Sequence, residues 1–286
     1  MKINFRRLLA ASVLFASLLA SFSNQVFSAS LNKGVKPFVI NSQSWCANNT
    51  IPPGYIVTNV SSNPYTSCSP YQQYTIAQLG PYDMQVAICS VSPIPTNWVI
   101  TQTQSGNGGY CAGYQAETIQ TTTNQTQMGV CANSPYPQNW VVNQVGQPGG
   151  NCAQYQNYHI ATLVGTSASI CSASQIPNGW VITSVSPVGG NCANWQPETI
   201  SLPSGNQMHV CGNSPVPGGW YISSNAPYGG SCANVLNSTI TKIQSYDTQL
   251  TMCGNSPVPA GWYVSKVNQS PGSCSPYLSE VIQKNP

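Results

Sequence analysis

The chain has 286 residues, of which only 5% are charged, and a formal net charge of +3. Three of its eight basic residues, Lys2, Arg6 and Arg7, lie at the extreme N-terminus, and the remainder balances five lysines against five acids. Without clustered cations to neutralise phosphates, nucleic acid and anionic lipid surfaces are excluded as expected partners.

The first predicted element is a secretory leader over residues 1–28. Lys2, Arg6 and Arg7 form its basic region, residues 8–20 its apolar core of 13 residues, and small residues around Ser28 its cleavage zone. Such a core falls short of the roughly 20 residues needed to span a bilayer. The expected location is therefore secreted, periplasmic or extracellular, with no membrane insertion after cleavage. An even count of 12 cysteines in a secreted chain predicts a disulfide framework.

Residues 29–45 form an N-terminal segment containing the strand-like "KPFVI" at 36–40. From Cys46 onward the chain repeats. The first cysteines of the copies are Cys46, Cys89, Cys131, Cys171, Cys211 and Cys253, at spacings of 43, 42, 40, 40 and 42. The second are Cys68, Cys111, Cys152, Cys192, Cys232 and Cys274, each 21 or 22 residues after the first. Read from each first cysteine, the units run 46–88, 89–130, 131–170, 171–210, 211–252 and 253–286, the last incomplete. A period near 40 belongs to repeat architectures.

Within each unit the predicted elements follow one order. Proline stands six residues after the first cysteine (Pro52, Pro95, Pro137, Pro177, Pro217, Pro259) and marks a turn, because it cannot donate to a ladder. An aromatic residue stands nine after it (Tyr55, Trp98, Trp140, Trp180, Trp220, Trp262), opening segments such as "WVIT" and "WYVS" that read as strands. A Gly-rich turn leads to the second cysteine. A short β segment ending in Ile76, Ile119, Ile160, Ile200, Ile240 or Ile282 follows it. Alternating apolar residues before the next first cysteine, such as Val86 and Ile88, give a third strand. The expected fold is all-β: six tandem disulfide-stapled repeats of three short strands each. A unit of this size needs such staples, each contributing about 3 kcal/mol on a chain-entropy estimate.

Pairing within each unit is the first-choice connectivity. The alternative joins each second cysteine to the next first one and leaves Cys46 for Cys274. Because the last unit reads as one strand short and residues 37–40 read as a spare strand, a compact or closed ring-like arrangement is favoured over an open row. Two three-unit barrels of trefoil type are a further alternative. The recurring aromatics read as core packing on the cystines, against the alternative of exposed stacking platforms.

Residues suited to catalysis are few. His159 and His209 are variants of repeated strand positions, no serine stands in a GxSxG context, and no cysteine spacing fits zinc. No enzyme activity, cofactor or metal is therefore expected. One acidic pattern stands out: six residues after the second cysteine the units carry Tyr74, Glu117, Tyr158, Glu198, Ser238 and Glu280. Three residues after that cysteine they carry Tyr71, Tyr114, Tyr155, Trp195, Val235 and Tyr277. The acids read either as a relic of duplication or as equivalent sites. On the second reading, the aromatics with Glu117, Glu198 and Glu280 form the candidate binding residues. The leading functional expectation is a secreted, non-enzymatic repeat protein that binds glycans or cell-surface polymers multivalently. A structural envelope or matrix protein with self-association is the alternative, and a multi-headed inhibitor ranks third.

Overall fold

The computed structural model describes residues 39–286 apart from 62, 64 and 105–108. The expected leader at 1–28, and Pro37 and Phe38 of the spare strand, lie outside the described residues.

Each unit starts its long strand from the same tight turn. The backbone N–H of the aromatic residue donates to the carbonyl of the proline three residues earlier, at 3.1–3.2 Å in all six units. The residue just before the aromatic is Gly54, Asn97, Asn139, Gly179, Gly219 or Gly261, and each has a positive φ, between 64° and 85°. Such a turn needs a residue that tolerates the left-handed region at its third position, and only Gly and Asn occur there.

The strands form six three-stranded antiparallel sheets. Unit one holds β1 (Val39–Cys46), β2 (Tyr55–Val60) and β3 (Gln73–Leu79), and unit two holds β4 (Gln85–Cys89), β5 (Trp98–Thr103) and β6 (Ala116–Thr121). Unit three holds β7 (Gln127–Cys131), β8 (Trp140–Pro148) and β9 (Gln156–Thr162), and unit four holds β10 (Ser167–Cys171), β11 (Val181–Val185) and β12 (Pro197–Ser201). Unit five holds β13 (Gln207–Cys211), β14 (Trp220–Ala226) and β15 (Asn237–Lys242), and unit six holds β16 (Gln249–Cys253), β17 (Trp262–Val267) and β18 (Ser279–Lys284). In every sheet the third strand in sequence lies in the middle. Among the described residues the only helical pieces are four short 3-10 turns that end on second cysteines.

The all-β expectation and the repeat hold, and so does the cystine pairing. Cys46–Cys68, Cys89–Cys111, Cys131–Cys152, Cys171–Cys192, Cys211–Cys232 and Cys253–Cys274 close within units, leaving no free cysteine. Six disulfides point to an oxidising compartment. Among the described residues, no helix is long and apolar enough to cross a membrane.

The frame of the unit differs from the expected one. The strand before each first cysteine pairs with the strands that follow it, not with those of the preceding copy. Unit six is therefore complete, with β16, β18 and β17 in register. Val39 and Ile40 of the spare strand belong to β1 and pair with Leu79 and Gln78 of β3, so they open the first sheet rather than closing the last.

A bulge interrupts the second strand of every unit, skipping Thr58, Thr101, Asn143, Thr183, Ser223 or Ser265. Five of these residues carry a hydroxyl that donates to the carbonyl of the middle strand, as from Thr101 to Thr118 at 3.4 Å. The kink leaves the preceding backbone N–H pointing away from the ladder.

Consecutive units meet through the second strand of one and the first strand of the next: β2 on β4, β5 on β7, β8 on β10, β11 on β13 and β14 on β16. Each junction is built alike. The cystine of the later unit joins the core of the earlier one, as Cys89 and Cys111 do beside Val57, Val60 and Ile76. Cys131 and Cys152 join Ile100 and Ile119, and Cys171 and Cys192 join Val142 and Ile160. Trp140, Trp180 and Trp220 are buried in the same clusters as the following unit's cystine, so the packing reading of these rings holds. A single unit thus lacks a finished core, and its neighbour supplies the missing piece.

Ring closure is not found. The first unit leaves Cys46 half-buried, whereas Cys89, Cys131, Cys171, Cys211 and Cys253 are fully buried. At the other end, Tyr263, Val264 and Val267 of β17 are exposed. The six sheets form a row with both end faces uncovered among the described residues.

Candidate functional site

Strand register gives the row two rims. The first strand ends, and the middle strand begins, at the cystine: Cys89 lies opposite Ala116, and Thr103 at the end of β5 lies opposite Glu117. Trp98, at the start of β5, lies opposite Thr121 at the far end of β6. Cystines and the residues after them line one rim. The proline turns line the other.

On the cystine rim, the aromatic position three residues after the second cysteine closes a turn. Its backbone N–H donates to the cysteine carbonyl at 2.7–3.0 Å in every unit. Tyr71, Trp195 and Tyr277 are exposed, and Tyr114 and Tyr155 are half-buried. Three of these rings lean on the preceding unit. The Trp195 indole donates to Gln156 at 3.2 Å, and Tyr155 packs against the core of unit two. Tyr114 stands edge-on to Tyr74, with centroids 6.5 Å apart and an interplanar angle of 82°. The two hydroxyls are 3.4 Å apart. Burial first, then the hydrogen bond and charge of Tyr114, push the Tyr74 phenol up to about 12. Each aromatic of the first four units is followed by glutamine (Gln72, Gln115, Gln156, Gln196); unit five breaks the series with Val235 and Leu236.

Two of the three acids at the candidate position are buried at the junctions between units. Glu117 and Glu198 are each only 6% exposed. Glu117 accepts from the Asn133 amide of unit three at 3.0 Å, and Glu198 accepts from the Asn213 amide of unit five at 3.4 Å. Burial raises the carboxyl pKa of both above the ordinary 4.5, and the asparagine hydrogen bonds oppose the rise. The same position is buried as Tyr74, Tyr158 and Ser238, so its role is at the junction between units. Tyr74 and Tyr158 share core clusters with apolar residues of the next unit, Val91 and Ala173. Ser238 reaches the next unit through Asn225, whose amide donates to Asn255. Glu280, in the last unit, is half-buried and has no following unit over it among the described residues.

The proline rim carries a feature that the sequence reading missed. Clefts of about 360 Å³ and 260 Å³ lie between the turns of units three and four and of units four and five. A third, of about 640 Å³, lies between the turns at Pro217 and Pro259, with Trp220, Trp262 and Lys284 in its walls. The signal was present in the pairing of "SPVPGGW" and "SPVPAGW" in adjacent units, since recurrent turns set side by side leave recurrent grooves.

His159 and His209 are exposed on their strands. His209 Nδ1 lies 3.3 Å from the Thr239 hydroxyl, and no carboxylate is among its hydrogen-bond partners in the described residues. No group of three or more His, Cys, Asp and Glu side chains able to hold a metal is found among the described residues. The chain matches no protein-family model, no curated protein and no solved structure.

Proposed function

We propose that this chain is a non-catalytic, multivalent binding protein of an oxidising, extracytoplasmic space, with glycans or similar uncharged surface polymers as its ligands. The carrying observation is the series of aromatic–glutamine turns along the cystine rim of units one to four, repeated at Tyr71, Tyr114, Tyr155 and Trp195. Rings stack on the apolar faces of sugars, and amides hydrogen-bond hydroxyls. A nearly uncharged rim suits ligands without charge. Linked repeats raise the effective concentration at the second site, so each site can be weak.

The test is binding of the oxidised chain to a glycan array and to whole cells. Tyr71→Ala with Trp195→Ala should lower apparent affinity more than either change alone, because avidity is lost, while the unfolding midpoint moves little. A wild-type chain that binds neither arrays nor cells removes the reading. A structural role in an assembly is the second reading, favoured by the two uncovered end faces of the row.

A further inference from the structure

The five internal junctions define what an end face lacks. At each, the backbone N–H just before the bulge donates to a serine hydroxyl of the next unit: Val57 to Ser92, Ile100 to Ser134, Val142 to Ser174, Ile182 to Ser214 and Ile222 to Ser256, at 2.7–3.0 Å. The donor residue is 0–5% exposed in these five units, whereas its equivalent in unit six, Val264, is 39% exposed. Tyr263 and Val267, beside it, are also exposed. The core of unit six, built on Met252 and Ile282, contains no cystine from a following unit. It is the receiving half of a junction.

The opposite end is an inserting half. Its cystine, Cys46–Cys68, has no unit in front of it among the described residues, and Cys46 is half-buried. The segment "Cys46-Ala47-Asn48" repeats "Cys131-Ala132-Asn133", the stretch whose asparagine donates to Glu117. Glu280, on the receiving end, occupies the position of Glu117.

We propose that the face of β16–β18 receives the first unit of a second copy, head to tail. The Cys46–Cys68 cystine of that copy enters beside Val264 and Ile282, and its Asn48 donates to Glu280. The inserting segment differs from the internal junctions at positions that include Gln43, where β4 has Val86, and Asn49, where unit two has Ser92. Asn49 keeps an acceptor oxygen for the Val264 N–H, and Gln43 faces Tyr263, which holds the place of Tyr221 in the junction of units five and six. The joint is therefore weaker than the internal ones, and association depends on concentration. A head-to-tail contact closes into a ring of chains or grows into a filament, according to its rotation.

Analytical ultracentrifugation of the full oxidised chain, taken up to about 1 mM, the weak end of specific affinity, tests this. Wild type should show a mass that rises past two chains. Val264→Lys spoils only the receiving face. Asn48→Glu, at an exposed position, spoils only the inserting face by setting a carboxylate against Glu280. Each variant alone should associate roughly tenfold more weakly or worse, because it places an uncompensated charge in the contact. Their equimolar mixture should form a 1:1 complex that grows no further, through the intact inserting face of one and the intact receiving face of the other. Circular dichroism and melting curves matching wild type verify the folding of both. A wild type that stays monomeric overturns the proposal. So does self-association of Asn48→Glu alone at wild-type strength, which marks a face-to-face dimer of receiving ends, or a mixture that forms no complex.

Discussion

The backbone N–H of Val57 donates to the hydroxyl of Ser92, 2.8 Å away and 35 residues further along the chain. The serine hydroxyl in turn donates a hydrogen bond to the carbonyl of Pro93 at 3.1 Å, so one buried hydroxyl satisfies two backbone groups in two units. The bulge creates the need and the next unit meets it. Unit one has Asn49 at this position and no unit before it among the described residues, whereas units two to six all carry the serine.

Ser134→Ala should leave the Ile100 N–H unpaired in a buried junction. The expected loss is about 1–3 kcal/mol of unfolding free energy. Urea denaturation measures it, and Asn49→Ala is the control, which should change stability far less.

Gly219→Ala should also destabilise, through the backbone alone. Its φ is +80°, and an added Cβ would meet nothing within 4 Å. The left-handed conformation costs an alanine about 1–2 kcal/mol. Gly219→Asn should cost less, because Asn97 and Asn139 hold the same turn with φ of 64° and 68°. Thermal melts of the two variants give the order.

The buried carboxyls predict a pH dependence with a definite sign. Glu117 and Glu198 have pKa values raised in the folded chain, so the folded state holds their protons more tightly than the unfolded state does. Their contribution is fully present below the ordinary carboxylate value of 4.5 and is lost as pH rises through the raised folded values. Asn133 Oδ1 is buried without a donor, and a protonated Glu117 can provide one after the amide flips. Stability measured by denaturant titration should therefore fall as pH climbs from 4.5, and Glu117→Gln with Glu198→Gln should flatten that slope.

The period and the strand-forming segments could be read from the sequence, because Cys, Pro and Trp recur at fixed offsets that only a repeated backbone explains. Within-unit cystine pairing is the first choice on those offsets, but they fit the alternative pairing too, and the structure decides it. The frame could not. A tandem repeat reads the same from any starting residue, and it is ladder pairing that assigns the strand before each cysteine to the sheet that follows. Ring closure followed from that wrong frame: once residues 39–46 are taken as the first strand of unit one, no strand is missing from unit six.

The Glu alternation was visible, but its meaning lay in a second column of the same alignment. Asn133 and Asn213 follow Glu117 and Glu198, whereas Val91 and Ala173 follow Tyr74 and Tyr158. Polar residues face polar and apolar face apolar across each junction, which places the position between units rather than on the rim. The aromatics three residues earlier are separated from the acids by the turn each one closes, which a strand-based spacing does not show.

The central claim is that in units two to six the cystine completes the core of the unit before its own. Hydrogen exchange on a Cys171→Ala, Cys192→Ala chain tests it most directly. Amide protection should fall in β8 and β9 of unit three as well as in β10–β12 of unit four, while β1–β3 keep wild-type protection. Loss confined to β10–β12, with β8 and β9 protected as in wild type, would contradict the account.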